Sequence, residues 1–93
     1  MASTVTIFSF EIRPDGYVEV NFLVDGQGPY GLVWSSVEEM KSHVLDPMST
    51  PEEAIRWPLR WWFARDADFS NPALIVGKDM NVDFSKPNPI TVG

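Results

Sequence analysis

TVTIFSFEIRPDGYVEVNFLV, residues 4–24, decides the fold. Two runs rich in β-branched and aromatic side chains, Thr4 to Arg13 and Tyr17 to Val24, flank Pro14-Asp15-Gly16. Proline presets φ for a turn and glycine accepts the positive φ that follows, so the segment reads as a β-hairpin. Pairing Ile12 with Val18 sets Phe10 opposite Val20 and Phe8 opposite Phe22 on one buried face. The same register puts Glu11 opposite Glu19 on the outer face, a like-charge pair that Arg13 can relieve diagonally. Ile7 and Leu23 also fall on that outer face.

Beyond the hairpin, Asp25 to Gly31 reads DGQGPYG, and Gly26, Gly28 and Gly31 form a G-x-G-x-x-G. A dinucleotide site needs a helix to open on that loop and a parallel strand to follow, ending in an acidic residue. Pro29 sits inside the motif, and Leu45-Asp46-Pro47-Met48-Ser49 stands where the strand should be, so the stretch reads as a turn. Gly31 to Trp34 adds a short extended piece. Ser36-Val37-Glu38-Glu39 is a capping box, and Val37, Met40, Val44 and Leu45 recur at helical spacing, which predicts a helix over 36–45 with that stripe on the sheet.

Residues 50–69, TPEEAIRWPLRWWFARDADF, hold three of the four tryptophans and three of the seven basic residues. Thr50 followed by Pro51 and Glu53 predicts a second helix start. Pro58 predicts a kink, or two short helices meeting at Trp57 and Pro58. Ile55, Leu59, Trp62 and Phe63 share one helical face; Trp57, Trp61 and Ala64 share the other, flanked by Arg60 and Arg65. Two readings of that second face stand side by side. Trp57, Arg60, Trp61 and Arg65 form a protein-binding surface, because tryptophan and arginine dominate interface hot spots. Alternatively, a small domain wraps around both faces and buries the tryptophans with the arginine stems packed alongside.

Arg65 to Pro72 is turn-rich, after which Ala73 to Val76 and Met80 to Ser85 read as a second hairpin around Gly77-Lys78-Asp79, with Val76 opposite Met80. Residues 86–93, with Pro87 and Pro89, read as an extended tail, either loosely ordered or laid along a sheet edge. If free, Ile90 to Val92 could add a strand to a partner.

The expected fold is therefore one α+β domain over residues 1–85. It has a mostly antiparallel sheet of four to five strands built from two hairpins, packed against two short helices in the order β-β-α-α-β-β. Ninety-three residues, 44% hydrophobic and 13% aromatic, suit one core. No stretch approaches the roughly 20 apolar residues of a membrane helix, and no secretory leader is evident, so a cytoplasmic location is expected.

The function classes narrow by exclusion. A net charge of −6, from 13 acidic and 7 basic residues, disfavours direct nucleic-acid or anionic-membrane binding and suits a basic or amphipathic protein partner. Without cysteine there is no disulfide, thiol nucleophile or zinc–thiolate site. His43, four residues after Glu39, makes a histidine–carboxylate pair, but nothing supplies the other catalytic roles. Asp79, Asn81 and Asp83 have the first spacing of a calcium loop, yet Phe84 and Ile90 stand where it needs glycine and glutamate. Asp66 and Asp68 lack a third ligand. No catalytic residue, cofactor or metal is assigned. The reading is a non-enzymatic protein-binding module, a small acidic inhibitor or adaptor of the kind viruses encode. The alternatives are a structural or assembly subunit forming a homo-oligomer, and a small enzyme or ligand-binding protein with a tryptophan-lined pocket.

Overall fold

The computed structural model describes residues 2–44, 55–83 and 90–92. Strands β1 (Ala2–Ile12), β2 (Val18–Val24) and β3 (Gln27–Trp34) lead to helices α1 (Val37–His43) and α2 (Arg56–Arg65). A 3-10 turn at Pro72–Leu74, then strands β4 (Asp79–Asp83) and β5 (Ile90–Val92), complete the order. All ladders are antiparallel in one five-stranded sheet, β3-β2-β1-β4-β5. The domain is α+β as the sequence predicts, with one more strand before the helices than expected.

The first hairpin forms around Gly16 at φ 94°, with Gly16 N donating to Arg13 O at 2.9 Å. Its tip has the expected register: Ile12 with Val18, Glu11 with Glu19 and Phe10 with Val20. Arg13 Nη2 meets Glu19 Oε1 at 2.6 Å and offsets the Glu11–Glu19 repulsion. Further along, the expected pairing of Phe8 with Phe22 gives way to Ile7 with Phe22. Ser9 pairs with Asn21 and Ile7 with Phe22, so Phe8 is the extra residue of a β-bulge. The slip exchanges the faces: Ile7 is fully buried and Phe8 is 47% exposed.

Deleting Phe8 would leave Ile7 and Ser9 as consecutive residues opposite the consecutive Phe22 and Asn21, a regular ladder. The expected result is a folded protein with unchanged β1–β2 and β1–β4 pairing, read from interstrand NOEs. Deleting Ser9 instead moves Phe8 opposite Asn21 and pushes a phenylalanine into a row of small polar side chains. Equal damage from both deletions would show that the bulge itself holds the strand.

The second hairpin is Asp25-Gly26, a two-residue turn with φ 52° and 76° that joins β2 to β3. Positive φ at both positions suits the type I′ geometry that Asp-Gly favours. The stretch containing the G-x-G-x-x-G is thus a tight hairpin turn leading into an edge strand of eight residues, longer than the Gly31–Trp34 piece expected. The predicted hairpin of Ala73–Val76 with Met80–Ser85 does not form. Pro72 opens the 3-10 turn, Val76 makes a single parallel bridge with Ile7, and Met80 pairs with Val5 and Val92. A proline start favours the helical turn over a strand, while β4 finds better partners in β1 and β5. Phe84 and Ser85 lie outside the described residues. Of the expected tail, residues 90–92 close the sheet as β5, so the strand suggested for a partner is used within the chain.

One face of the sheet carries the core: Val5, Ile7, Val18, Val20, Phe22, Val24, Trp34, Met80 and Val82 are buried there with Met40 and Val44 near α1 and Ile55, Leu59 and Trp62 near α2. Ile75 is fully buried too. The opposite face is a set of polar cross-strand pairs. Thr4 Oγ1 donates to Asn81 Oδ1 at 2.9 Å, Thr6 Oγ1 to Asp79 Oδ1 at 2.7 Å, and Asn21 Nδ2 to Ser9 Oγ at 2.9 Å. Asp79 and Asn81, which resembled calcium ligands, are the wet side of β4 and hydrogen-bond to β1 instead.

Candidate functional site

Two helix ends meet above the core, and the residues that join them include part of the predicted site. Ser36 caps α1 by accepting from Glu39 N at 3.1 Å, while Glu39 reaches back to Ser35 N at 2.5 Å and Ser35 Oγ at 2.6 Å. These bonds, the Ser35 hydroxyl foremost, hold the Glu39 carboxyl below the ordinary glutamate range. Glu39 is therefore committed to the start of the helix. His43 lies tilted against Trp34, ring centroids 5.2 Å apart, and its Nε2 accepts from Arg56 Nε at 3.0 Å. That nitrogen already accepts a proton donor, so the ring serves as a strut between α1 and α2.

One helical turn after Arg56, Arg60 Nε donates to the carbonyl oxygen of Val44, the C-cap of α1. Two arginines of α2 therefore converge on the end of α1, where unpaired carbonyls and the negative pole of the helix favour cations. The sequence reading missed Arg56, which is only 5% exposed. The signal was present in the four-residue spacing of Arg56 and Arg60, which puts both guanidinium groups on one side of a helix.

Helix α2 runs unbroken from Arg56 to Arg65, with Pro58 in its first turn, where a missing N–H costs no intrahelical bond. The helix is continuous across Trp57 and Pro58, while the Thr50–Glu53 start, and with it the first half of the expected kink or junction, lies outside the described residues. Leu59 and Trp62 face the core as predicted, with Pro58 and Arg56 beside them. Trp62 sits edge-on between Phe10, at 4.7 Å, and Phe69, at 4.8 Å. Phe63 is half-buried and touches Phe69 edge-on at 5.4 Å.

The other side of α2 brings the four predicted contact residues together as two stacked pairs. Arg60 lies over the Trp57 ring, 4.8 Å from its centroid, and Arg65 lies over the Trp61 ring at 3.9 Å. Trp57 and Trp61 are both half-buried, so neither reading of this face holds alone. The inner pair is structural: Arg60 is tied to α1, and the Trp57 indole nitrogen is buried without a hydrogen-bond partner. Trp57 therefore turns its N–H inward. In the outer pair the arginine meets water: Arg65 is exposed and anchored by Nη1 to Trp61 O at 3.0 Å, while Trp61 is half-buried against the core.

The carboxylates nearest to Arg65 in sequence are engaged elsewhere. Asp66 accepts from Asn71 N at 2.7 Å, from Ser70 Oγ at 3.1 Å and 3.2 Å, and from Asp68 N at 3.3 Å. Burial opposes its charge, but these bonds outweigh that and hold the carboxyl below the usual aspartate range. Asp68 lies 3.4 Å from Lys41 Nζ. The Asp66–Asp68 pair is thus a loop staple and a link to α1, and no group of three or more metal-ligating side chains occurs among the described residues. No helix among them is long and apolar enough to cross a membrane. Comparison with protein-family models, curated proteins and solved structures finds no match for this chain.

Proposed function

We propose that the protein is a non-enzymatic protein-binding module, an inhibitor or adaptor, that engages its partner through the outer face of α2. One observation carries this reading: a half-buried tryptophan, Trp61, lies beneath an exposed arginine fixed over its ring on a chain of net charge −6. Aromatic and arginine side chains held rigid in water offer contact area at little cost in lost side-chain entropy, which is the profile of a hot spot. Trp57 and Arg60 support the platform from behind and set its distance from α1. An amphipathic partner segment suits the mix of ring surface and cation.

Single-tryptophan variants titrated with acrylamide test the premise. Trp61 should be quenched most readily and Trp34 and Trp62 least. A photo-crosslinker at the exposed Ala64 should then give one defined adduct that Trp61→Ala removes without change in the circular dichroism or the melting temperature. Four equally shielded tryptophans, or loss of fold in Trp61→Ala, would overturn the reading.

A second reading, an assembly subunit, rests on the outer sheet face, where Phe8 is 47% and Val33 51% exposed. Sedimentation showing a monomer at high concentration would count against it.

A further inference from the structure

We infer that Arg65 is a carboxylate receptor: the partner of the α2 face presents an aspartate or glutamate that binds side-on to this guanidinium, with an apolar residue beside it on Trp61. The inference rests on the proposed function and specifies the chemistry of the occupant.

A guanidinium has two edges that can hold a carboxylate through paired N–H donors. One is the end pair of Nη1 and Nη2, the other the side pair of Nε and Nη2. Arg65 spends one of the two Nη1 hydrogens on the Trp61 carbonyl, which leaves the side pair whole. No donor or acceptor among the described residues meets that side edge. Stacking on the Trp61 ring at 3.9 Å fixes the plane of the group, so the edge points in one direction instead of sweeping through many.

Charge strengthens the case. On a chain with 13 acidic residues and 7 basic ones, an exposed cation would ordinarily be neutralised from within. The two carboxylates closest along the chain could do so, yet Asp66 is turned into its loop by Asn71 and Ser70 and Asp68 toward Lys41. By contrast, Arg60 and Arg56 are spent on the end of α1. Arg65 is the arginine of α2 whose side-on edge is left for an outside ligand. Its position in the last turn of the helix, at the negative pole, suits a cation.

The partner feature that follows is an amphipathic segment with a carboxylate one helical turn from a leucine-sized anchor, a spacing that matches Trp61 and Arg65 on α2. The test uses two synthetic amphipathic helical peptides that differ only by Glu→Gln at that position. Binding is followed through the fluorescence of a protein variant whose remaining tryptophans are replaced by phenylalanine, leaving Trp61.

The glutamate peptide should bind about tenfold more tightly than its glutamine analogue, the usual worth of a charge-assisted bidentate contact. That advantage should shrink in high salt. Arg65→Gln should erase the difference between the peptides, and Arg65→Lys should recover only part of it, because an ammonium lacks the fork. Equal binding of both peptides to the unaltered arginine would overturn the carboxylate inference and leave the docking face standing. Failure of both peptides to bind would overturn the docking reading along with it.

Discussion

Replacing Trp62 with alanine should cost about 3–5 kcal/mol, the range for deleting a fully buried large aromatic. A chain of 93 residues has a total stability of about 5–14 kcal/mol at the usual stability per residue. The variant should therefore lose about a fifth or more of its stability, read as a lower urea midpoint at unchanged slope. The size of the effect follows from position. Trp62 is the largest fully buried side chain, and its ring joins β1 through Phe10 to the loop after α2 through Phe69. Its indole nitrogen is buried with no hydrogen-bond partner among the described residues, so ring packing is what the residue contributes there. Trp62→Phe keeps a ring between Phe10 and Phe69 and removes an unpaired buried donor, which should return much of the loss. If phenylalanine were as damaging as alanine, packing would not be what the tryptophan contributes.

The second large effect is expected at Gly28. This residue lies where β3 takes one residue more than β2 between the pairs Phe22–Tyr30 and Val24–Gln27, and its φ is 128°. A Cβ there would stand 2.7 Å from Tyr30 N and 3.2 Å from Phe22 O. Both obstacles are backbone, which cannot swing aside as a side chain does. Gly28→Ala should cost about 3 kcal/mol, the upper end for a side chain forced into a disfavoured conformation, because the clash adds to the strain. Gly16 gives the comparison: its φ is also positive, at 94°, but a Cβ there meets nothing within 4 Å. Gly16→Ala should cost only about 1 kcal/mol. Thermal melts of the two variants check the order, and equal losses would show that the β3 backbone yields.

How far the sequence could be read depends on whether each feature is specified by neighbours in the chain. The first turn, Pro14-Asp15-Gly16, carries its own geometry, so the hairpin register near it was legible down to the Glu11–Glu19 pair and its relief by Arg13. The bulge was legible too, but as a break in rhythm. Val5 and Ile7 alternate in one phase, Phe8, Phe10 and Ile12 in the other, and the adjacent pair Ile7-Phe8 marks the slip. Continuing a single phase through that point exchanged the inner and outer residues. At Asp25-Gly26 the turn chemistry was equally explicit, but reading the whole of Asp25 to Gly31 as one turn hid most of β3.

The failures after α2 are of another kind. Nothing near Ala73–Val76 announces that Met80 will pair with Val5, because that partner lies more than seventy residues away. The site divides in the same manner. Helical spacing brought Trp57, Arg60, Trp61 and Arg65 onto one side of α2, but only tertiary structure separates the pair bound to α1 from the pair whose arginine is exposed. Arg56 takes its role only from the end of α1 folded beside it.

The order of the strands also sets an order of events. β1, β2 and β3 form a meander from 33 consecutive residues, with both connections short, so these pairings require little loop closure and can form early. β1 is nevertheless the middle strand of the finished sheet, and its second edge has no partner until β4 arrives to pair Ala2 with Asp83 and Val5 with Met80. During synthesis the meander therefore waits with the β1 edge open until the segment that carries β4 leaves the ribosome. The docking of β4, a contact between sequence-distant segments, becomes the slow step that closes the molecule and the point at which a nascent chain is most exposed to pairing with a neighbour.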